Sequence, residues 1–368
     1  MISKIKKSIS NFLQWHMRNK QSLQSAHTNK CQMTPHIHKG DSLTLEEKRR
    51  IAEVWSPVAG CPIKRGHTYF IGIKNINGFD ANYLPLCYFH PYILPKLNPP
   101  QWKKVLSHKA LTEMLFGGVC EFPSTLIRSI GGKLFDSKYR PLSIEKCIEL
   151  ILKTESGMLY KPAMDSCQGK GIEFFTQENK STLIEAFKDC SIFHLATDFV
   201  IQLAVSQSKE TSIYNPTSLN CMRITTLNLN GKVTVCSRAL KCGSKGSAVD
   251  NIGTGKRGVI IGINPDGTLR KFGFYGNGEM TYSHNGVTFQ GRCIGSYKLI
   301  EDTAIELHKL NDKCKLIGWD LALDTDNRPV LIEANVSFPG ISFEQMCSGP
   351  IFGERTYEVI QYIIDNKG

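Results

Sequence analysis

The chain has 368 residues, 41% of them hydrophobic, and a formal net charge of +12, which predicts a folded, soluble protein of two or three lobes rather than a disordered one. The basicity admits anionic partners, yet no nucleic-acid motif and no stripe of interleaved aromatic and basic residues accompanies it, so nucleic acid is the weaker reading. Thirteen cysteines lie scattered without paired spacing or CxxC clusters, which argues against a disulfide framework or a zinc site and for a reduced, cytoplasmic compartment.

In chain order, Ile2, Ile5, Ile9, Phe12 and Leu13 recur at helical spacing among Lys4, Lys6, Lys7 and Arg18. This apolar run is too broken for a signal sequence or a membrane span. The helix either packs on the protein or rests as a peripheral contact on an anionic bilayer at the inner face of a membrane. Residues 21–40, polar and carrying His27, His36 and His38, read as a linker. Ser42 or Thr44 can cap a helix, with Glu47 three residues after Thr44, and that helix ends before Pro57. The aromatic and β-branched run 69–74 reads as a strand, and Pro85, Pro91, Pro95, Pro99 and Pro100 then break up any long element. The expectation is a basic helical arm and linker over 1–50 and an accessory α/β lobe over 51–105.

A helix over 107–116, stopped by Gly117-Gly118, opens the next lobe, 106–200. A strand from Phe122 and a helix over 143–154 follow. The strand 158–163 then delivers Lys161 to a polar loop containing Gln168, Gly169, Lys170 and Gly171. Such a loop can close over a triphosphate with backbone N–H groups and lysine charge; a plain surface turn is the alternative. Its spacing is not that of a P-loop. The apolar strand 198–205 is interrupted by Gln202, which offers a slot for a flat base.

The remaining lobe, 201–368, starts with a hairpin around Asn230-Gly231. Arg223 and Arg238 lie seven residues before and after that turn, so they either point at one anion or stand as lone surface arginines. A glycine-rich loop, 250–258, contains Asn251 and leads into the strand 259–263 and an Asn-Pro-Asp-Gly turn. Residues 273–296, including His284, read as a long irregular insertion that contacts an acceptor or packs as ordinary loop. A helix over 301–311 precedes a second hairpin, 318–340, and a terminal helix spans 354–365. On that hairpin Glu333 and Asn335 are two apart and share one face. If Asp320 lies across from them, three oxygen ligands converge and suit Mg²⁺; solvent-face polarity is the alternative.

Taken together, these motifs resemble the ATP-grasp superfamily over roughly residues 40–350, and within it the sugar-transfer-associated branch and, more distantly, the glutamate-ligase-like enzymes. Gly318-x-Asp320 and Glu333-x-Asn335-x-Ser337-x-Pro339-Gly340 resemble its magnesium signature. Lys161-Pro162 with Gly169-Lys170-Gly171 resembles its phosphate-covering hairpin. Lys109 matches the lysine of a common Asp-Lys pair, while His108 departs from it. Gln202 and Leu203 fall at the adenine hinge, where relatives commonly carry Glu at the Gln202 position. Arg223, Arg238 and Asn251 match residues that relatives place near the phosphates and the acyl intermediate.

The resemblance implies an α+β fold, two lobes clamping ATP behind an N-terminal helical region. It implies two Mg²⁺ ions, with Mn²⁺ as the alternative. Asp320, Glu333 and Asn335 would bind metal; Lys109, Lys161, Gln168, Gly169, Lys170, Gly171, Gln202 and Leu203 would bind nucleotide; Arg223, Arg238 and Asn251 would be catalytic. The implied activity is a carboxylate–amine ligase working through an acylphosphate, on a small or saccharide-linked carboxylate and an amine acceptor of surface-polysaccharide biosynthesis. The rivals are a phosphotransferase acting on a sugar hydroxyl and a nucleotide-binding scaffold without turnover.

Overall fold

The computed structural model describes residues 2–164, 170–244, 246 and 258–366. Its first sheet is built from β1 (Thr125–Ile130), β2 (Lys133–Phe135), β3 (Met158–Pro162), β4 (Glu173–Phe175) and β5 (Phe199–Leu203), paired antiparallel in the order β2-β1-β5-β3-β4. Ile127, Met158, Tyr160, Phe199 and Ile201 alternate onto one face and bury the apolar sides of the helices Ile144–Lys153 and Lys180–Lys188. Ser143 starts the first of these helices by accepting from Lys146 N. Pairing of Thr125 with Gln202, and of Arg128 and Lys161 with Val200, puts the polar residues on the opposite face.

The second sheet comprises β6 (Cys221–Leu229), β7 (Lys232–Cys242), β8 (Val259–Ile263), β9 (Leu269–Tyr275), β10 (Met280–Thr281), β13 (Leu316–Leu323) and β14 (Pro329–Asn335), in the order β10-β9-β8-β7-β6-β13-β14. A separate ribbon pairs β11 (Ser283–His284) with β12 (Val287–Thr288). One face of the large sheet buries the helix Tyr297–Lys309 through Ile224, Leu240, Ile261, Ile317 and Trp319. Trp319 is fully buried there, edge-on to Phe116 at 5.2 Å, and donates to Thr226 Oγ1. Residues 273–296, read as an irregular insertion, contain strand pairs, and His284 is buried with its Nε2 2.9 Å from Gly243 O.

The N-terminal third covers the other face of the large sheet. Helix α1 (Ile2–Met33) continues through much of the stretch read as a linker. The reason is a buried face made of small and polar groups: Ser22 donates to Cys87 O, Asn29 Oδ1 accepts from Leu86 N, and Met33 packs against Gly72. A hydropathy pattern does not register such a face. Helix α2 (Leu45–Trp55) starts with the Thr44–Glu47 capping box. The run 69–74, read as a strand, lies inside helix α3 (His67–Asn77), where Tyr69, Phe70 and Ile73 reach one core; tertiary burial outweighs β propensity. The regular elements of 51–105 are thus all helices, and Trp55, Phe70 and Ile73 share a core with Leu227, Leu229 and Ile260 instead of forming an α/β lobe of their own. A Cβ on Gly72 would meet Met33 Cβ at 2.6 Å, so Gly72→Ala is expected to lower thermal stability by roughly 1–3 kcal/mol. An unchanged melting temperature would show that α1 is not clamped there.

Candidate functional site

Two bulges decide which side chains meet on the large sheet. In the Asn230-Gly231 hairpin, Thr226 pairs with Val235 but Thr225 pairs with Ser237, leaving Cys236 as an extra residue in β7. An unbulged register would set Arg223 opposite Arg238. The slip instead pairs Arg223 with Ala239 and Arg238 with Ile224, so the two arginines face opposite sides of the sheet. Arg238 turns to the helix Tyr297–Lys309, where its Nε donates to Glu301 and Tyr297, each at 2.6 Å. The expectation that both arginines point at one anion is corrected accordingly. The same slip brings Lys241 to the Arg223 side, a residue that sequence parity assigns to the other face.

The second bulge lies in the β13–β14 hairpin. Leu321 pairs with Leu331 and Asp320 with Glu333, so Ile332 is the extra residue. Asp320 and Glu333 therefore stand directly across from each other, Gly318 faces Asn335, and β6 sets Arg223 beside Asp320 from the other flank. Gly318 is required here, because a Cβ would collide with Pro339 O and crowd the Arg223 side chain at 3.1 Å.

The resulting cluster is densely paired. Arg223 grips both oxygens of Asp320, Nε at 2.5 Å and Nη2 at 2.8 Å, and Lys241 Nζ reaches the same carboxylate at 3.1 Å. Asn335 Nδ2 adds a fourth contact at 3.2 Å, which leaves its carbonyl oxygen as the donor for a cation. Burial opposes ionisation of Asp320, but the charges of Arg223 and Lys241 outweigh it and hold the carboxyl well below its ordinary range. Glu344, on the helix Ser342–Ser348, lies 3.9 Å from Arg223 Nη1; burial raises its pKa, against the pull of that charge. Glu333 is the more open carboxylate, its side chain 31% exposed, and it meets Lys109 Nζ at 3.2 Å.

Lys109 ties this cluster to the first sheet. It begins a short helical turn, Lys109–Leu111, and its N–H donates to Ala163 O at the end of the Lys161 strand. His108, the residue before it, pairs with Asp198 at 3.1 Å. On the polar face of that sheet, Lys161 Nζ donates to Gln202 Oε1 at 3.2 Å, Gln202 to Thr125, and Thr125 to Glu113, which also meets the buried Arg128 at 2.6 Å. Leu203 is not brought to that face: its side chain packs toward the lobe core and its N–H donates to Ser124 O. Lys170 is exposed, and Gly171 has a φ of +74° beside Pro162. Gln168, Gly169 and Asn251 lie outside the described residues.

The structure thus joins Asp320, Glu333, Asn335, Arg223 and Lys109, adds Lys241 and Glu344, and places Lys161 with Gln202. Glu113, Thr125 and Arg128 also went unread, because an arginine in a short apolar strand carries no sequence signal for a buried network. Two carboxylates and an amide oxygen on one face form a hard donor set that fits Mg²⁺. Asp320 is the most committed to protein cations; Glu333 and Asn335 are the more accessible oxygens.

The model of the family described as sugar-transfer associated ATP-grasp matches residues 90–361. Among solved structures, the chain is similar to D-alanyl-alanine synthetase A from Vibrio cholerae, with 14% identity, 71% of this chain and 66% of that chain covered, and a TM-score of 0.41. It is also similar to the VanG D-Ala:D-Ser ligase from Enterococcus faecalis, with 12% identity, 71% and 61% covered, and a TM-score of 0.42. A third is biotin carboxylase from Campylobacter jejuni, with 11% identity, 71% and 47% covered, and a TM-score of 0.44. The chain spans about two thirds of the first and less of the others. The comparison with curated proteins found no match.

Proposed function

Because the chain belongs to the sugar-transfer-associated ATP-grasp family, we propose that it is an ATP- and Mg²⁺-dependent carboxylate–amine ligase acting in sugar-linked or surface-polysaccharide biosynthesis. The observation that carries this reading is the convergence of Asp320, Glu333 and Asn335 with Arg223, Lys241 and Lys109. Phosphoryl transfer asks a protein for positioning and neutralised charge, and this cluster supplies both. Asp320, Glu333 and Asn335 would hold Mg²⁺, which when bound draws charge from the phosphate oxygens. Lys161 and Lys109 would hold the nucleotide, and Arg223 would steady the carboxylate undergoing activation.

In the reaction a substrate carboxylate oxygen attacks the γ-phosphorus and ADP leaves, giving an acylphosphate. The acceptor amine then attacks the acyl carbon, phosphate departs with the C–O bond pair, and the amine proton passes to solvent. Mass analysis of a metabolite pool incubated with MgATP tests this: the expected outcome is one ADP and one phosphate released per condensed product. A phosphorylated sugar with ADP alone would replace the reading with a phosphotransferase, and absence of ADP release would favour a scaffold.

The bulge at Cys236 makes its own prediction. Lys241→Ala is expected to weaken MgATP binding about tenfold or more, through lost charge-assisted bonding around Asp320. Arg238→Ala is expected to lower thermal stability and leave MgATP affinity unchanged. Calorimetry and thermal unfolding check both, and the reverse pattern would reject the register.

A further inference from the structure

Helix α1 changes character halfway along. Its second half is held to the body by Ser22, Ser25, Asn29 and Met33, all buried, whereas residues 9–18 are exposed apart from backbone self-bonding, with no buried position among them. Ile9, Phe12, Leu13, Met17 and Leu23 are each more than half exposed. At the pitch of an α-helix these five fall within one arc of about 140°, which also holds His16 and Lys20, centred roughly 155° around the axis from the face that packs on the body. Trp15, 6.2 Å from the Phe12 ring, lies about 60° outside that arc, toward the side that packs on the body. The stripe therefore points away from the protein that carries it.

Charge selects the occupant. The helix contains Lys4, Lys6, Lys7, Arg18, Lys20 and Lys30 and no acidic residue, which is half of the net +12 of the whole chain. Arg65 adds to this from the adjoining short helix, donating to Asn19 and Ser22 at 2.9 Å. Two copies of such a helix side by side would bring like charges together with no acidic partner, whereas an anionic headgroup layer supplies the counter-charge and an apolar boundary at once. No helix among the described residues is long and apolar enough to cross a membrane, so the contact is interfacial.

The geometry points to residues 9–23 as an in-plane anchor that lies on anionic phospholipid, its apolar stripe at the acyl boundary and its basic side chains among the phosphates. The full chain tests this by cosedimentation with vesicles of phosphatidylcholine alone or with about 30 mol% phosphatidylglycerol. The expected result is binding to the anionic vesicles only, reversed in about 0.5 M NaCl. The double variant Phe12→Glu with Leu13→Glu, at positions with no buried contact, is expected to lower partitioning about tenfold or more with circular dichroism and MgATP binding retained. Equal sedimentation with neutral and anionic vesicles, or wild-type binding by the double variant, overturns the proposal. A dimer in sedimentation equilibrium that the double variant dissolves, with no vesicle binding, assigns the stripe to a second copy instead.

Discussion

Glu333→Gln is expected to cut MgATP-dependent ADP release by ~10²-fold or more, the scale of losing one preorganised electrostatic contact. Glutamine keeps the shape of the side chain and removes its charge. Glu333 is placed by the extra residue Ile332, which turns it across from Asp320, and its carboxylate is open enough to exchange Lys109 for a metal ion. Because its pairing with Lys109 is partly solvated, the same change is expected to shift unfolding free energy by less than about 1 kcal/mol. Activity and stability thus separate at this position. Calorimetry of ATP binding with and without Mg²⁺ gives a readout that needs no acceptor: the variant should lose the Mg²⁺-dependent part. Retention of both full turnover and the Mg²⁺ effect would remove Glu333 from the metal set.

Asp320→Ala is expected to cost about 3–5 kcal/mol of stability, because it leaves Arg223 and Lys241 buried without their shared counter-charge. Urea midpoints compare it with the wild type, and a cost under about 1 kcal/mol would show that Glu344 alone satisfies Arg223. The pH dependence has a definite sign. The folded pKa of Asp320 lies below its ordinary 3.8, so the folded state binds this proton less well than the unfolded chain. Its contribution is complete above pH 3.8 and is lost as the pH falls from there through the depressed folded value. Glu344 runs the other way: its raised pKa makes its contribution greatest below the ordinary 4.5, fading as pH rises through the folded value. Asp320→Ala should therefore flatten the acid limb of the stability curve, and an acid limb identical to the wild type would refute the assignment.

Much of the site was legible because its chemistry is local in sequence. Glu333 and Asn335 share a strand face by parity alone, the Asn-Gly turn announces its hairpin, and Lys161 precedes a glycine-bearing loop on a strand that forms as expected. The apolar runs that became β5, β8 and β13 were equally readable. What failed had physical causes of two kinds. Helix α3 reads as strand because Tyr69, Phe70 and Ile73 favour strands intrinsically, and only the core waiting for them at helical spacing reverses that. The continuation of α1 was hidden because its packed face is Ser22, Ser25 and Asn29, small or polar groups of which Ser22 and Asn29 hydrogen-bond to distant carbonyl, amide and hydroxyl groups.

By itself, then, the sequence determined the inventory: the strands, the hairpin turns, a hard-oxygen triad, and a set of lysines and arginines suited to phosphate. Which cations serve the triad was decided by the tertiary structure alone. A side chain's face alternates with every residue, so one bulged residue exchanges the whole set beyond it. Cys236 sends Arg238 behind the sheet and brings Lys241 forward, and Ile332 sets Glu333 opposite Asp320. Neither residue is a glycine or otherwise marked as a bulge. Those slips are fixed by packing on both sides of the sheet, where Trp319 and Ile224 must reach one core while Asp320 and Arg223 meet on the other face.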